Sequence, residues 1–117
     1  MRSNSRNIPM LGPYNAMWVQ VCFDISTLTK ADVKRANRFR NDLLDLGFSR
    51  FQLSIYNYYV PSKQIADTVA KKIQLIVPPN GQVTILFITD RQFGMSINYF
   101  GGQVVDIECP EQGLLFE

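Results

Sequence analysis

Histidine is absent from this 117-residue chain, and that absence removes more chemistry than any other feature. Without imidazole there is no Ser-His-Asp or Cys-His arrangement, no unperturbed general base near neutral pH and no histidine metal ligand. Any catalysis must use carboxylates, a hard metal ion or activated water. Cysteine is scarce as well. Cys22 and Cys109 lie far apart, and with no second pair they make neither a zinc site nor a disulfide framework, so both are expected as reduced thiols. No apolar run reaches the roughly 18 residues of a membrane span, and residues 1–16 lack the apolar core of a secretory signal. The expectation is a soluble protein of the cytoplasm with no membrane partner.

Hydrophobic residues make up 46% of the sequence, enough for one core in a chain too short for two ordinary domains. The net charge of +2 permits nucleic acid as a partner without requiring it, so any such affinity must come from local clustering. Residues 1–16 contain Arg2, Arg6, Pro9, Gly12 and Pro13 and break both structural periodicities. They read as a flexible arm before a single domain over 17–117.

Met17 to Ile25, Met-Trp-Val-Gln-Val-Cys-Phe-Asp-Ile, is the stretch that organises the rest. On a period of two, Val19, Val21 and Phe23 share one face, while Trp18, Gln20, Cys22 and Asp24 share the other. The strand delivers a carboxylate, Asp24, at its C-terminal end. Thr29 followed by Asp32 has the spacing of a capping box, so a helix should begin there. Its buried stripe is Val33, Ala36, Phe39, Leu43 and Leu46, and Gly47 is its stop. Lys30, Lys34, Arg35, Arg38 and Arg40 crowd the same helix. They make either an ordinary solvated face or a ridge that contacts phosphate without reading sequence, a set that Arg50 extends.

Phe48 to Val60 is too long for one strand and should bend near Phe51 to Ser54. Ser54, Tyr56 and Tyr58 then share one face, with Leu53, Ile55 and Tyr59 on the other. A second helix follows Pro61 and Ser62, with Ile65, Val69, Ile73 and Ile76 inward and Lys63, Lys71 and Lys72 outward. Pro78, Pro79, Asn80 and Gly81 end it. Gly81 to Thr89 reads as a buried strand apolar on both faces. Asp90 to Phe93 suits a helical turn, and Val104, Val105 and Ile107 a last short strand. The tail over about 103–117 ends in Leu114, Leu115 and Phe116, apolar residues better suited to a partner's surface than to water.

The order strand, helix, strand, strand, helix, strand is the ferredoxin-like βαββαβ sandwich of the α+β class. It puts both helices on one face of the sheet and leaves the other bare. A bare face carrying Trp18, Gln20 and Cys22 would be covered by a sheet-to-sheet homodimer.

Four segments in this order resemble the CRISPR-associated Cas-two family. They are the Phe-Asp-Ile end of the first strand, the basic helix after it, Gly-Phe-Ser-Arg-Phe-Gln-Leu-Ser-Ile-Tyr, and Gly-Gln-Val-Thr-Ile-Leu-Phe-Ile-Thr-Asp-Arg-Gln-Phe. The last two look most like members from systems with a single large guide-directed nuclease. The resemblance implies a homodimer that works in spacer acquisition, bridges two dimers of the Cas-one integrase and holds the duplex DNA to be inserted. It also implies a metal-dependent endonuclease on DNA or single-stranded RNA, with Asp24 binding magnesium or manganese and Ser54 and Tyr56 at the catalytic positions. Where the family often carries tyrosine before the aspartate, this chain has Phe23, without a hydroxyl to orient phosphate or water.

Magnesium takes one or two carboxylates with waters and substrate phosphate, so one Asp24 per chain makes a site only if a dimer brings two together. The alternative for Asp24 is a strand-end carboxylate that accepts backbone N–H bonds in the following loop. Two other functions fit the same fold: a toxin-type ribonuclease of the virulence-associated kind, and a non-catalytic regulatory module for a small ligand.

Overall fold

The structure is a computed structural model, and it describes residues 16–106. Strand β1 spans Met17–Ile25, and helix α1 spans Lys30–Leu46. Strands β2 (Ser49–Gln52) and β3 (Ile55–Val60) follow, then α2 (Lys63–Gln74) and β4 (Gly81–Thr89). A short helix α3 (Asp90–Gly94) leads to a hairpin of β5 (Asn98–Phe100) and β6 (Gln103–Val105). The four long-range strands form one antiparallel sheet in the order β2-β3-β1-β4, which is the ferredoxin-like arrangement read from the sequence.

The alternation of β1 decides the layering. Val19, Val21, Phe23 and Ile25 are buried under the helices with Ala36, Phe39 and Leu43 of α1 and Ala66, Val69 and Ile73 of α2. Phe39 meets Phe23 edge to face, with ring centroids 5.1 Å apart. Burying a side chain of this size contributes about 1.5–3 kcal/mol, so this layer holds the domain together. Helix α1 starts where the capping box places it: the Asp32 N–H donates to Thr29 Oγ1 at 3.0 Å, and the Thr29 N–H donates to Asp32 Oδ2 at 3.3 Å. It ends at Gly47, whose φ of 112° lies in the left-handed region that a side chain disfavours. A Cβ there would also approach the Tyr58 ring to 3.0 Å.

Several expectations are corrected. Val33 and Ile65 stand exposed, and Ala66 takes the inward place on α2. On α2 the buried residues Ala66, Val69 and Ile73 recur at threes and fours, and Ile65 lies one position off that stripe. Strand β4 is not buried on both faces. Among the described residues it is an edge strand with no partner on its outer side, and Leu86 and Phe87 are more than a third exposed. The second face of the sheet is not bare, because α3 folds over one end of it. Phe93 stacks on Trp18 with centroids 4.1 Å apart, and Trp18 Nε1 donates to Asp90 Oδ1 at 3.0 Å. Tyr59 packs edge-on to the same indole. The last strand also has a partner that the sequence reading lacked. Gly101 and Gly102, at φ 59° and 83°, turn β5 back on β6. Both glycines use positive φ, as a two-residue hairpin turn requires.

The arm over 1–15 and the segment 107–117, with Ile107, Cys109, Leu114, Leu115 and Phe116, lie outside the described residues. Ala16, at the end of the arm, is buried, and its carbonyl accepts the Asp90 N–H at 3.3 Å.

Candidate nucleic-acid and strand-end site

Asp24 sits where β1 leaves the sheet. On one side, the Phe23 N–H donates to the Ser54 carbonyl at 3.0 Å, the last backbone bond between β1 and the β2–β3 turn. On the other, Asp24 pairs in register with Gln82 and Ile25 with Gly81. That second approach is tight. A Cβ on Gly81 would lie 2.8 Å from the Asp24 carbonyl, so only glycine lets β4 begin so close to this strand end.

The Asp24 carboxylate is exposed and, among the described residues, accepts no hydrogen bond and pairs with no cation. This removes the reading of Asp24 as a carboxylate that caps the following loop. Asp32 does that work instead. Its carboxylate receives Ser26 Oγ at 3.0 Å, the Thr29 N–H, Arg35 Nη1 at 3.3 Å and Asn80 Nδ2 at 3.0 Å. The Ser26 hydrogen bond, with those from Thr29 and Asn80, holds the Asp32 carboxyl below its usual range against the opposing effect of burial. One side chain thus ties the loop after β1 to the turn before β4. The sequence showed the cap but not the bond to Asn80, which spans 48 positions.

The other proposed catalytic positions do not gather around Asp24. Tyr56 pairs with Val21, is only 3% exposed, and lies in the helix-side core with its ring centroid 5.8 Å from that of Phe23. It therefore faces the layer opposite to the Asp24 carboxylate. Ser54 stands in the turn beside Phe23, engaged through its carbonyl. Phe23 itself faces α1, so its lack of a hydroxyl changes the helix side and not the face of Asp24.

Beside Asp24 on the open face runs a short polar ladder. Cys22 Sγ donates to Gln20 Oε1 at 3.8 Å, and Gln20 Nε2 donates to Asn57 Oδ1 at 3.0 Å. Partial burial pushes the Cys22 thiol up from its usual value, so it stays protonated at neutral pH.

Of the clustered cations, Lys30, Lys34, Arg35, Arg38 and Arg50 are exposed. Arg35 reaches back to Asp32. Arg38 lines a groove with Asp42, Leu75, Pro78 and Pro79, where α1 faces the loop after α2. Arg40 differs from the rest, being half-buried and turned toward the protein.

Among the described residues no group of three or more histidine, cysteine or acidic side chains could hold a metal ion. One chain offers a single carboxylate at the strand end, and that does not by itself build a magnesium or manganese site. No helix among the described residues is long and apolar enough to cross a membrane.

Comparison with known proteins adds to this geometry. Residues 17–96 match the family model described as CRISPR associated protein Cas2. A "CRISPR-associated endoribonuclease Cas2" of Flavobacterium psychrophilum is 39% identical over 104 residues, covering 89% of this chain and 90% of the relative. A protein of the same name from Paracidovorax avenae is 39% identical over 92 residues, covering 79% of this chain and 85% of its own. Among solved structures, one titled "Crystal structure of cas2" superposes with a TM-score of 0.52 at 20% identity, covering 80% of this chain and 97% of that one. At that identity the likeness speaks for the fold.

Proposed function

Because the chain belongs to the CRISPR associated protein Cas2 family, we propose that it acts on nucleic acid in spacer acquisition as a homodimer, with phosphodiester cleavage centred on paired copies of Asp24. The observation that carries this reading is the Asp24 carboxylate, exposed at the end of the central strand and, among the described residues, without a partner. A strand-end carboxylate that takes no donor from its own loop keeps its oxygens open to a hard cation. Relatives named as endoribonucleases support RNA as the substrate class. Since one chain supplies too few ligands, a magnesium or manganese ion would need the second copy.

The exposed Lys30, Lys34, Arg35 and Arg38 supply the backbone contacts for duplex DNA or RNA, with Arg50 beside them. In this reading the dimer bridges the Cas-one integrase, and Leu114, Leu115 and Phe116 are the segment that meets a partner. A second reading keeps the binding and drops the cleavage. It is favoured by Tyr56, whose burial leaves Asp24 without a second functional side chain nearby.

The test is a cleavage assay on RNA and duplex DNA with magnesium or manganese, run beside a binding assay. Asp24→Ala is expected to lower cleavage by about a hundredfold or more, with binding retained and stability unchanged within about 0.5 kcal/mol. Chelation should abolish cleavage in the unaltered chain. Neutralising Lys34, Arg35 and Arg38 should weaken binding and reduce its salt dependence. Binding without cleavage by the unaltered chain would establish the scaffold reading.

A further inference from the structure

The sequence groups Arg40 with the phosphate-contacting cations, but its guanidinium is committed to the protein. Nε donates to the Leu53 carbonyl at 3.5 Å, and Nη1 donates to Asn37 Oδ1 at 3.3 Å. Its Cζ stands 5.4 Å from the centre of the Phe23 ring. Leu53 and Ser54 form the turn between β2 and β3, and the Ser54 carbonyl accepts the Phe23 N–H. One side chain therefore touches the ring of the donor residue and the neighbour of the acceptor residue in the last backbone bond before Asp24.

We propose that Arg40 is a positioning residue for Asp24. It clamps the Phe23 ring and the β2–β3 turn to α1, so that the end of β1 keeps one course and its carboxylate leaves the sheet in one direction. Positive charge alone would not do this. A planar guanidinium can lie against a ring while two of its nitrogens donate in different directions, whereas a lysine ammonium is a point charge that cannot hold all three partners. The clamp also sits where the sheet is weakest. Strand β2 is a short edge strand whose register shifts between Arg50 and Gln52, so the turn it feeds should open before the rest of the sheet. On its other flank Asp24 needs no such clamp, because the close approach of Gly81 already fixes β4 against it.

Arg40→Lys and Arg40→Gln, with Arg38→Ala beside them, test the assignment in the full chain. The measurements are the exchange rate of the Phe23 amide by NMR, affinity for nucleic acid as a function of salt, and cleavage kinetics. Arg40→Lys is expected to raise Phe23 amide exchange about tenfold while mid-strand amides of β1 keep their protection. Its affinity should stay within about twofold, because the charge is retained, and kcat should fall with KM unchanged. Arg38→Ala should do the reverse, losing affinity and salt slope with Phe23 exchange unaltered. If both Arg40 variants keep the unaltered Phe23 exchange rate, the proposal is overturned. It is overturned as well if Arg40→Gln simply copies Arg38→Ala. The cleavage measurement rests on the reaction proposed at Asp24, but the exchange measurement does not. An unaltered chain that fails to cleave would sink that reaction and leave Arg40 to be decided by exchange alone.

Discussion

The two faces of β1 are made from alternate residues of one nine-residue segment, yet they are finished in different ways. On the helix side, the inward residues from Val19 to Ile25 join residues of α1 and α2 in one continuous core. On the open side the character changes along the strand. Trp18 is closed over by Phe93 and Tyr59, Gln20 and Cys22 form a polar ladder with Asn57, and the Asp24 carboxylate has no hydrogen bond or ion pair among the described residues. The first face is complete within the chain. Among the described residues the second is closed over at its Trp18 end, and its polarity rises toward the residue that the proposed chemistry requires. The pleat of a single strand thus separates the positions that build the core, odd-numbered, from those that carry the proposed site, even-numbered.

This contrast can be broken most severely on the helix side. Phe39→Ala removes a fully buried ring that meets Phe23, and it should cost about 3–5 kcal/mol, read as a drop in the urea midpoint by circular dichroism. The closed end of the open face should be less sensitive. Trp18→Phe keeps a ring for Phe93 to stack on but removes the bond to Asp90 Oδ1, and should cost about 1 kcal/mol in the same titration. The smallest effect is expected at Asp32, in the first turn of α1. Its carboxyl is held below the usual range in the fold, so the ionised form is the one the native state favours. The stability it contributes is therefore present above the ordinary carboxylate range and is lost as pH falls through that range and below it, to about 4 and lower. Thermal unfolding followed down to about pH 3 should show a shallower acid decline for Asp32→Ala than for the unaltered chain.

Much of the helix side was legible because it depends on local rules. The period of two in β1, the Thr29–Asp32 box and Gly47 each fix a structure within a few residues of themselves, and the structure keeps all three. The open side depends on contacts between distant segments. That Phe93 would lie on Trp18 cannot be read from either residue, since they meet only through the path of β4. The burial of Tyr56 followed from its register with Val21, which no local pattern fixes. The hairpin could have been found, because Gly-Gly between Asn-Tyr-Phe and Gln-Val-Val is a two-residue turn signal. At the site, the position of Asp24 was legible, and its freedom from hydrogen bonds was not. That freedom became visible only once Asp32 was seen to take the donors of the loop. Arg40 looked like its cationic neighbours because sequence spacing records which face of a helix a residue is on, not what a long side chain reaches.

One junction has a mechanical consequence. Thr89 is both the last residue of β4 and the cap of α3, its hydroxyl accepting the Gln92 N–H at 3.0 Å while Gln92 Oε1 accepts the Thr89 N–H. No linker separates the edge strand from the helix that carries Phe93, so the two behave as a rigid lever with its far end resting on the indole of Trp18. A twist applied along the outer edge of β4 is delivered there as torque on the ring pair. Trp18 is the single tryptophan of the chain, which makes its fluorescence a built-in strain gauge for whatever docks along that edge.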